Sequence, residues 1–369
     1  MMKSVIKKVS VKHGEAFKGR VLEVKCKKDK SFKTPSKIPS TTEILGKKHL
    51  KIKHEWDNKI YEISQGYYLT KVNNLDKNAK NFKVKLNSIR SLEKNIPENV
   101  LTMYHAQFDE YTRLSDKTVE TLIDLQLEAG FDIIQLPETY NCSVDDFERN
   151  FEKYFDYINI TRPDAVLMPQ IRLRQKSSLF EEKLKILGEF EGYLKAINIR
   201  YSMFMHLKRN VESLAKFSDK DFWIHTSNCT RLEMNRLIPT STQHILQKYG
   251  MDTFSSEIPM YRQGLTNRVA YEILYYNPQT LIVSEINECM DNGYLRCNCP
   301  ICRRHKFEYL CEDLEKKNNQ SLITNLNDFS KIHELYTSTA EFEKSQMYIE
   351  EERLMDYFKL KVGLRKFID

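Results

Sequence analysis

Apolar and polar positions follow two different rhythms along this chain, and the change comes near residue 95. Before it, short alternating runs such as Arg-Val-Leu-Glu-Val-Lys at 20–25 and the apolar pairs at 60–63 and 67–69 are broken by Pro35 and Pro39. Runs of that kind predict short strands joined by turns. After it, compact apolar runs alternate with stretches of helical period. A strand at 100–104 precedes Val119, Leu122, Ile123, Leu125 and Leu127, which share a helix face that stops at Gly130. The unit then repeats, with strands at 132–136 and 164–168 that end at Pro137 and Pro169, and helices at 147–157 and 179–194. Strands at 199–205, 222–225 and 252–254 follow, with helices at 211–217 and 242–249 between them, and the end of the chain, 307–367, is charged and helical.

Successive strand–helix units with continuous apolar strands imply a parallel sheet, and this many in one run favour a closed (β/α)₈ barrel of α/β class. The expected organisation is a strand-rich N-terminal segment (1–95), a barrel (96–285), and a subdomain with C-terminal helices (286–369). Chemistry in such barrels sits just past the strand ends. That rule selects Asp109, Glu138, Gln170, His206, His225 and the neighbourhood of Asp252.

Composition adds boundaries rather than identity. A chain of 369 residues with 41% hydrophobic and 11% aromatic content can bury a large core, and no apolar run is long enough to span a membrane. The N-terminus has no long apolar segment of the secretory kind, so a cytoplasmic location is expected. The net charge of +7 is modest, but lysines are dense between Lys3 and Lys53, which suits either a solvated face or a phosphate backbone.

Candidate chemistry concentrates in Cys297-Asn298-Cys299-Pro300-Ile301-Cys302. Three thiols within six residues converge when the backbone turns around them, and a tetrahedral zinc needs one more nitrogen or sulfur donor. His305 and His333 are both within reach in sequence. Cys26, Cys142, Cys229, Cys289 and Cys311 have no ligand spacing of their own and read as structural thiols.

Taken in order, these motifs resemble those of the tRNA-guanine transglycosylase superfamily, over roughly residues 20–345. The family carries Cys-x-Cys-x-x-Cys followed by a histidine on a helix, here Cys297, Cys299, Cys302 and, in Ile-His-Glu-Leu, His333. The resemblance therefore implies His333 over His305 and a structural Zn²⁺, although the 30 residues between Cys302 and His333 exceed the usual gap. The family's Gly-x-Asp-x-Phe-Asp strand matches Gly250-Met-Asp252-Thr-Phe254, but Ser255 stands where the family has its nucleophilic aspartate. A hydroxyl is a poor nucleophile at an anomeric carbon, so Asp252 and Glu257 become the carboxylate candidates beside Ser255. The family's Thr-Asp-Ser-Gly-Gly-Phe loop is degraded here to Thr102-Met103-Tyr104-His105-Ala106-Gln107-Phe108, with Asp109 next as candidate acid/base. Phe32-Lys-Thr34-Pro35-Ser-Lys-Ile38-Pro39 is similar to the family's Thr-Pro strand at the barrel entrance. By the same resemblance Glu138 reads the guanine edge, where a carboxylate can accept from N1–H and the exocyclic amine, and Gln170 assists it.

What the resemblance implies is a pentosyltransferase: guanine in a nucleic acid is exchanged for a 7-deazaguanine of preQ0 or preQ1 type through a glycosyl–enzyme intermediate. Drift around the aspartates with a retained zinc site is most similar to the divergent relatives that modify DNA, in phages and bacterial modification clusters. Exchange in tRNA is the alternative, and loss of the nucleophile also fits a non-catalytic nucleic-acid-binding subunit of a paired transglycosylase. No membrane partner is expected, and a homodimer is compatible with the resemblance.

Overall fold

Three antiparallel strands open the chain: β1 (Val5–Ser10), β2 (Val21–Lys25) and β3 (Ser31–Lys33). The computed structural model describes residues 5–10, 17–26, 30–41, 43, 59–67, 79–94, 96–108, 114–138, 142–202, 208–231, 239–257, 273–291, 295, 297–305 and 320–368. Eight parallel strands follow, in chain order β4 (Ser36–Lys37), β5 (Ile60–Tyr67), β6 (Leu101–Phe108), β7 (Ile133–Leu136), β8 (Val166–Arg172), β9 (Ala196–Arg200), β10 (Trp223–Cys229) and β11 (Thr253–Ser256). Each strand from β5 to β11 pairs with the next in sequence, and β11 pairs with β4. Just past β4, Ser40 forms a parallel bridge to Glu62. There the Glu62 amide donates to the Pro39 carbonyl at 2.9 Å and the Thr41 amide to the Glu62 carbonyl at 3.0 Å. The sheet thus curls until its two edges meet, the arrangement of a TIM-like barrel.

Helices α1 (Ala79–Glu93), α2 (Asp116–Ala129), α3 (Val144–Thr161), α4 (Ser177–Glu189) and α5 (Lys208–Phe217) each follow a strand. Their starts and stops are written locally. Ser115 caps α2 by accepting from the Thr118 amide at 3.1 Å, and Gly130 ends it at φ 94°, a left-handed turn that glycine adopts without strain. Ser143 caps α3 in the same way through the Asp146 amide at 3.1 Å. The short α6 (Thr242–Leu246) leads into β11 through a 3₁₀ turn and Gly250.

After β11 comes a hairpin, β12 (Leu274–Asn277) and β13 (Ile282–Glu285), then α7 (Ile286–Asp291) and α8 (Pro300–His305). The long α9 (Gln320–Glu350) returns to the barrel, where Phe342 stacks on Phe254 of β11 at 5.1 Å, and α10 (Leu354–Leu360) finishes the cover. Around the hairpin a separate small core forms from Ile273, Tyr275, Ile286, Leu295, Ile301, Phe329 and Ile332.

Alternation along the strands sorts side chains into two sets. Outward residues such as Ile63, Tyr104, Ile134, Leu167, Ile197, Ile224 and Phe254 join the helices in the main core. Inward residues Ile60, Leu101, Met103, Ile133, Val166, Met168, Ala196 and Trp223 fill the N-terminal half of the barrel, plugged from below by Leu22, Val24 and Phe32.

At that lower end Arg20 and Asp252 form a buried fork: Nε to Oδ1 at 3.0 Å and Nη2 to Oδ2 at 2.8 Å. The guanidinium also donates to the carbonyls of Ser218, Lys220 and Phe222, and Asp252 accepts the Ile224 amide at 2.7 Å. Removing one partner strands a buried charge. Asp252→Asn is expected to lower stability by about 3–5 kcal/mol, read from urea unfolding; a change under about 1 kcal/mol would show that the fork is not holding the base of the barrel.

Three departures from the sequence expectation have simple causes. The barrel begins inside the segment read as an N-terminal lead, because β4 spans two residues and β5 carries polar residues on its inner face. The helix Ala79–Glu93 went unread there because Leu86 and Ile89 are its fully buried apolar contacts in a lysine-rich run. The strand expected at 199–205 lies at Ala196–Arg200, since the inward Asn198 interrupts its apolar run.

Candidate metal centre and inner barrel site

Cys297 and Cys299 lie in the turn before α8, Cys302 in its first turn, and His333 in the middle of α9; their donor atoms all fall within 4.8 Å of one another. Backbone amides already point at the sulfurs, Cys299 N–H to Cys297 Sγ at 3.4 Å and Cys302 N–H to Cys299 Sγ at 3.3 Å. His333 Nε2 sits 2.7 Å from the Tyr276 carbonyl, which can only accept. Nε2 therefore carries a proton, and Nδ1, the nitrogen left for a metal, faces Cys302 Sγ at 3.2 Å and Cys299 Sγ at 3.4 Å. The Tyr275 ring stacks on the imidazole at 4.4 Å and fixes its plane. Hydrogen bonds from Cys299 and Cys302 push the Cys297 thiol well down, while those with Cys297 and Cys299 push Cys302 up, so Cys297 is the first of the pair to become anionic. Three sulfurs and an imidazole nitrogen with one fixed tautomer can hold a metal ion. The side chain of His305, the rival candidate, lies outside the described residues.

Farther along the barrel interior the inward positions turn polar: Glu62, Ser64, His105, Gln107, Gln135, Gln170, Asn198, His225, Ser227, Thr253 and Ser255. Their hydrogen bonds fix several protonation states. Trp223 Nε1 donates to Thr253 Oγ1 at 2.7 Å, so the threonine hydroxyl is free to donate to His225 Nδ1 at 3.0 Å. His225 Nε2–H then points at Glu62 Oε2, 3.2 Å away. Burial raises the Glu62 pKa, but the His225 hydrogen bond, the fields of His105 and His225 and the Ser64 hydroxyl at 2.6 Å outweigh it and bring it down to about 2.

Across the barrel, Gln135 Oε1 accepts from His105 Nδ1 at 3.0 Å and from Asn198 Nδ2 at 2.9 Å. Burial pushes the His105 pKa down, which keeps the ring neutral and leaves Nε2 with a bare lone pair. His105 Nε2, Gln107 Oε1, Asn198 Oδ1 and Ser227 Oγ have no partner among the described residues, although all four side chains are buried. Unmatched buried polar atoms are expensive, about 1–3 kcal/mol each, and these four leave unused hydrogen-bonding capacity inside the barrel.

The sequence candidates divide accordingly. Ser255 lies in this layer, with Oγ 3.4 Å from His225 Nε2, and Gln170 is inward on β8. Asp252 lies instead at the opposite end in the fork with Arg20. Glu257, two residues beyond Ser255 in the same alternation, is exposed, with its amide on the Cys229 carbonyl at 2.9 Å. Glu138 turns away from the interior: Lys183 of α4 donates to its Oε1 at 2.6 Å and the Arg172 amide to its Oε2 at 2.5 Å. It also borders a small cavity between strands and helices with Leu136, Phe147, Phe151 and Gln170. Asp109 and His206 lie outside the described residues. Glu62, His105, Gln135 and Asn198 were not singled out from the sequence as site residues. Their signal was present, in strands that begin apolar and turn polar at every second residue, as in Leu101-x-Met103-x-His105-x-Gln107.

No family model and no curated protein matches this chain. Among solved structures it is similar to a provisionally assigned alpha-L-fucosidase from Bacteroides thetaiotaomicron VPI-5482, with a TM-score of 0.32 and 11% identity over 54% of this chain and 76% of that one. At that TM-score the likeness carries no argument about activity. Among the described residues no helix is long and apolar enough to cross a membrane.

Proposed function

We propose that the chain is a base-exchange transglycosylase, a pentosyltransferase that replaces guanine in DNA with a 7-deazaguanine. The observation that supports this most is the place of the three-cysteine, one-histidine cluster. It stands in the connection between β11, the last barrel strand, and α9, the helix that comes back to cover it, so the motif order read from the sequence coincides with a barrel and its insertion. Zn²⁺ is the ion we assign to it, because soft sulfur donors and an imidazole in tetrahedral number suit zinc. Four protein donors leave no position for water, which makes the site scaffolding.

In this reading the reaction is two displacements at C1′. A carboxylate attacks C1′ while the C1′–N9 pair leaves with guanine, which takes up a proton. The incoming base gives a proton back as its ring nitrogen re-forms the bond and releases the carboxylate. The target guanine must first leave its stack, at a few kcal/mol. His105 Nε2, Gln107 Oε1 and Asn198 Oδ1 offer acceptors that N1–H and the exocyclic amine of guanine can satisfy, the duty the sequence suggested for Glu138.

One observation favours a second reading. Asp252 is committed to Arg20, and Ser255 has no carboxylate, which fits a binding subunit that needs a catalytic partner. Duplex DNA and tRNA carrying radiolabelled guanine, each incubated with the protein and a 7-deazaguanine, separate the cases. Release from DNA is expected. Release from tRNA alone would transfer the activity to tRNA, and nucleic-acid binding without release from either polymer would favour the subunit.

A further inference from the structure

We infer that the carboxylate missing at Ser255 is supplied by Glu62, which serves as the nucleophile of the proposed exchange. The inference rests on the base-exchange reading and names a residue that its motifs do not.

The argument is one of position. β5 and β11 are the two strands flanking β4, so Glu62 and Ser255 lie one strand apart where the sheet closes. Both side chains reach the same atom: His225 Nε2 is 3.2 Å from Glu62 Oε2 and 3.4 Å from Ser255 Oγ. The two oxygens can be no farther apart than the sum of those distances. An aspartate at 255 would bring its carboxylate to the same His225 nitrogen that Glu62 Oε2 already approaches. The electrostatics agree, for a second carboxylate beside Glu62 would be a like charge in a buried site. A serine at 255 removes that conflict.

Glu62 is also the group in the inner layer with the right chemistry. Its Oε would form the bond to C1′ as the C1′–N9 pair leaves, and the incoming base would expel it again, so no oxidant or further reactant is consumed. His225 Nε2–H and Ser64 Oγ–H hold the carboxylate in one rotamer before attack and receive its charge after release.

The test is a covalent trap. Wild-type protein and DNA, quenched in denaturant without 7-deazaguanine, should give a protein–DNA adduct whose peptide map places the sugar on Glu62. Glu62→Gln, which keeps an oxygen for His225 Nε2–H, should lose the adduct and lower exchange by about 10³-fold or more. Adding Ser255→Asp to that variant should restore the adduct, now on residue 255, and recover exchange to within about tenfold of wild type. An adduct mapping to Glu257 or Asp109, or unimpaired exchange by Glu62→Gln, would overturn the assignment while leaving base exchange standing. If the wild type neither releases guanine nor forms an adduct, both readings fall. Should Glu62→Gln not fold, the wild-type peptide map decides alone.

Discussion

Metal analysis of the purified protein should find one zinc per chain, and stripping it with a strong chelator should melt the segment that carries the hairpin, α7 and α8. The size of the effect follows from how little else holds that segment together. Its core is small, and one of the ligands, Cys302, is itself part of that core. Small zinc domains draw about 10–16 kcal/mol from metal binding at neutral pH, more than such a core can replace. The loss should propagate, because His333 sits on α9 one residue before Glu334, which binds Arg231 and accepts from Gln243 Nε2 at 3.3 Å. Cys302→Ser should therefore lower zinc content and turn a single unfolding transition into two, the barrel melting after the subdomain. A chelated protein whose unfolding curve matches the untreated one, or metal-free protein with full thermal stability, would refute a structural role for the cluster.

What could be read from the sequence depended on whether one residue type carried one meaning. The alternation of apolar strands and helical periods gave the parallel α/β order from residue 96 on, because Ile134, Leu167 and Ile197 face helices and must be apolar. The three cysteines were legible for a similar reason, since that spacing has few other uses. The inner layer was harder. Glu62 sits in a strand whose neighbours are equally compatible with an exposed edge, and only closure through Ser40 shows that it is buried. Asp252 shows another limit: a resemblance to a motif says nothing of depth along the strand, and the fork with Arg20 joins residues 232 positions apart. Glu138 shows the cost of a one-residue offset: strand alternation sends it to Lys183, whereas its neighbour Pro137 falls on the inward series.

Two buried groups, His244 on α6 and Glu62 in the inner layer, predict an acid-sensitive fold with two separable steps. Burial, and behind it the fields of Lys361 and Lys37, pushes the His244 pKa from 6.5 down to about 3; the ring is stacked on Phe342 at 4.3 Å, with Nε2 2.9 Å from the Tyr276 hydroxyl. Its folded pKa lies below its unfolded one, so the unfolded chain takes up a proton first, and stability present above pH 6.5 is lost as pH falls toward 3. Glu62 is also depressed, from 4.5 to about 2, so its contribution is complete above pH 4.5 and disappears as pH falls through 2. At 1.36 kcal/mol per pKa unit these are at most about 5 and about 3 kcal/mol. Urea midpoints across that range should fall first with the His244 window and more steeply where the two overlap. His244→Gln should flatten the curve between pH 6.5 and 4.5 relative to wild type, and Glu62→Gln should have its largest effect below 4.5. Proton competition at the cysteine ligands acts on all three proteins alike, so it cancels in those differences. Parallel curves for the wild type and both variants would show that neither buried group is held in its high-pH charge state by the fold.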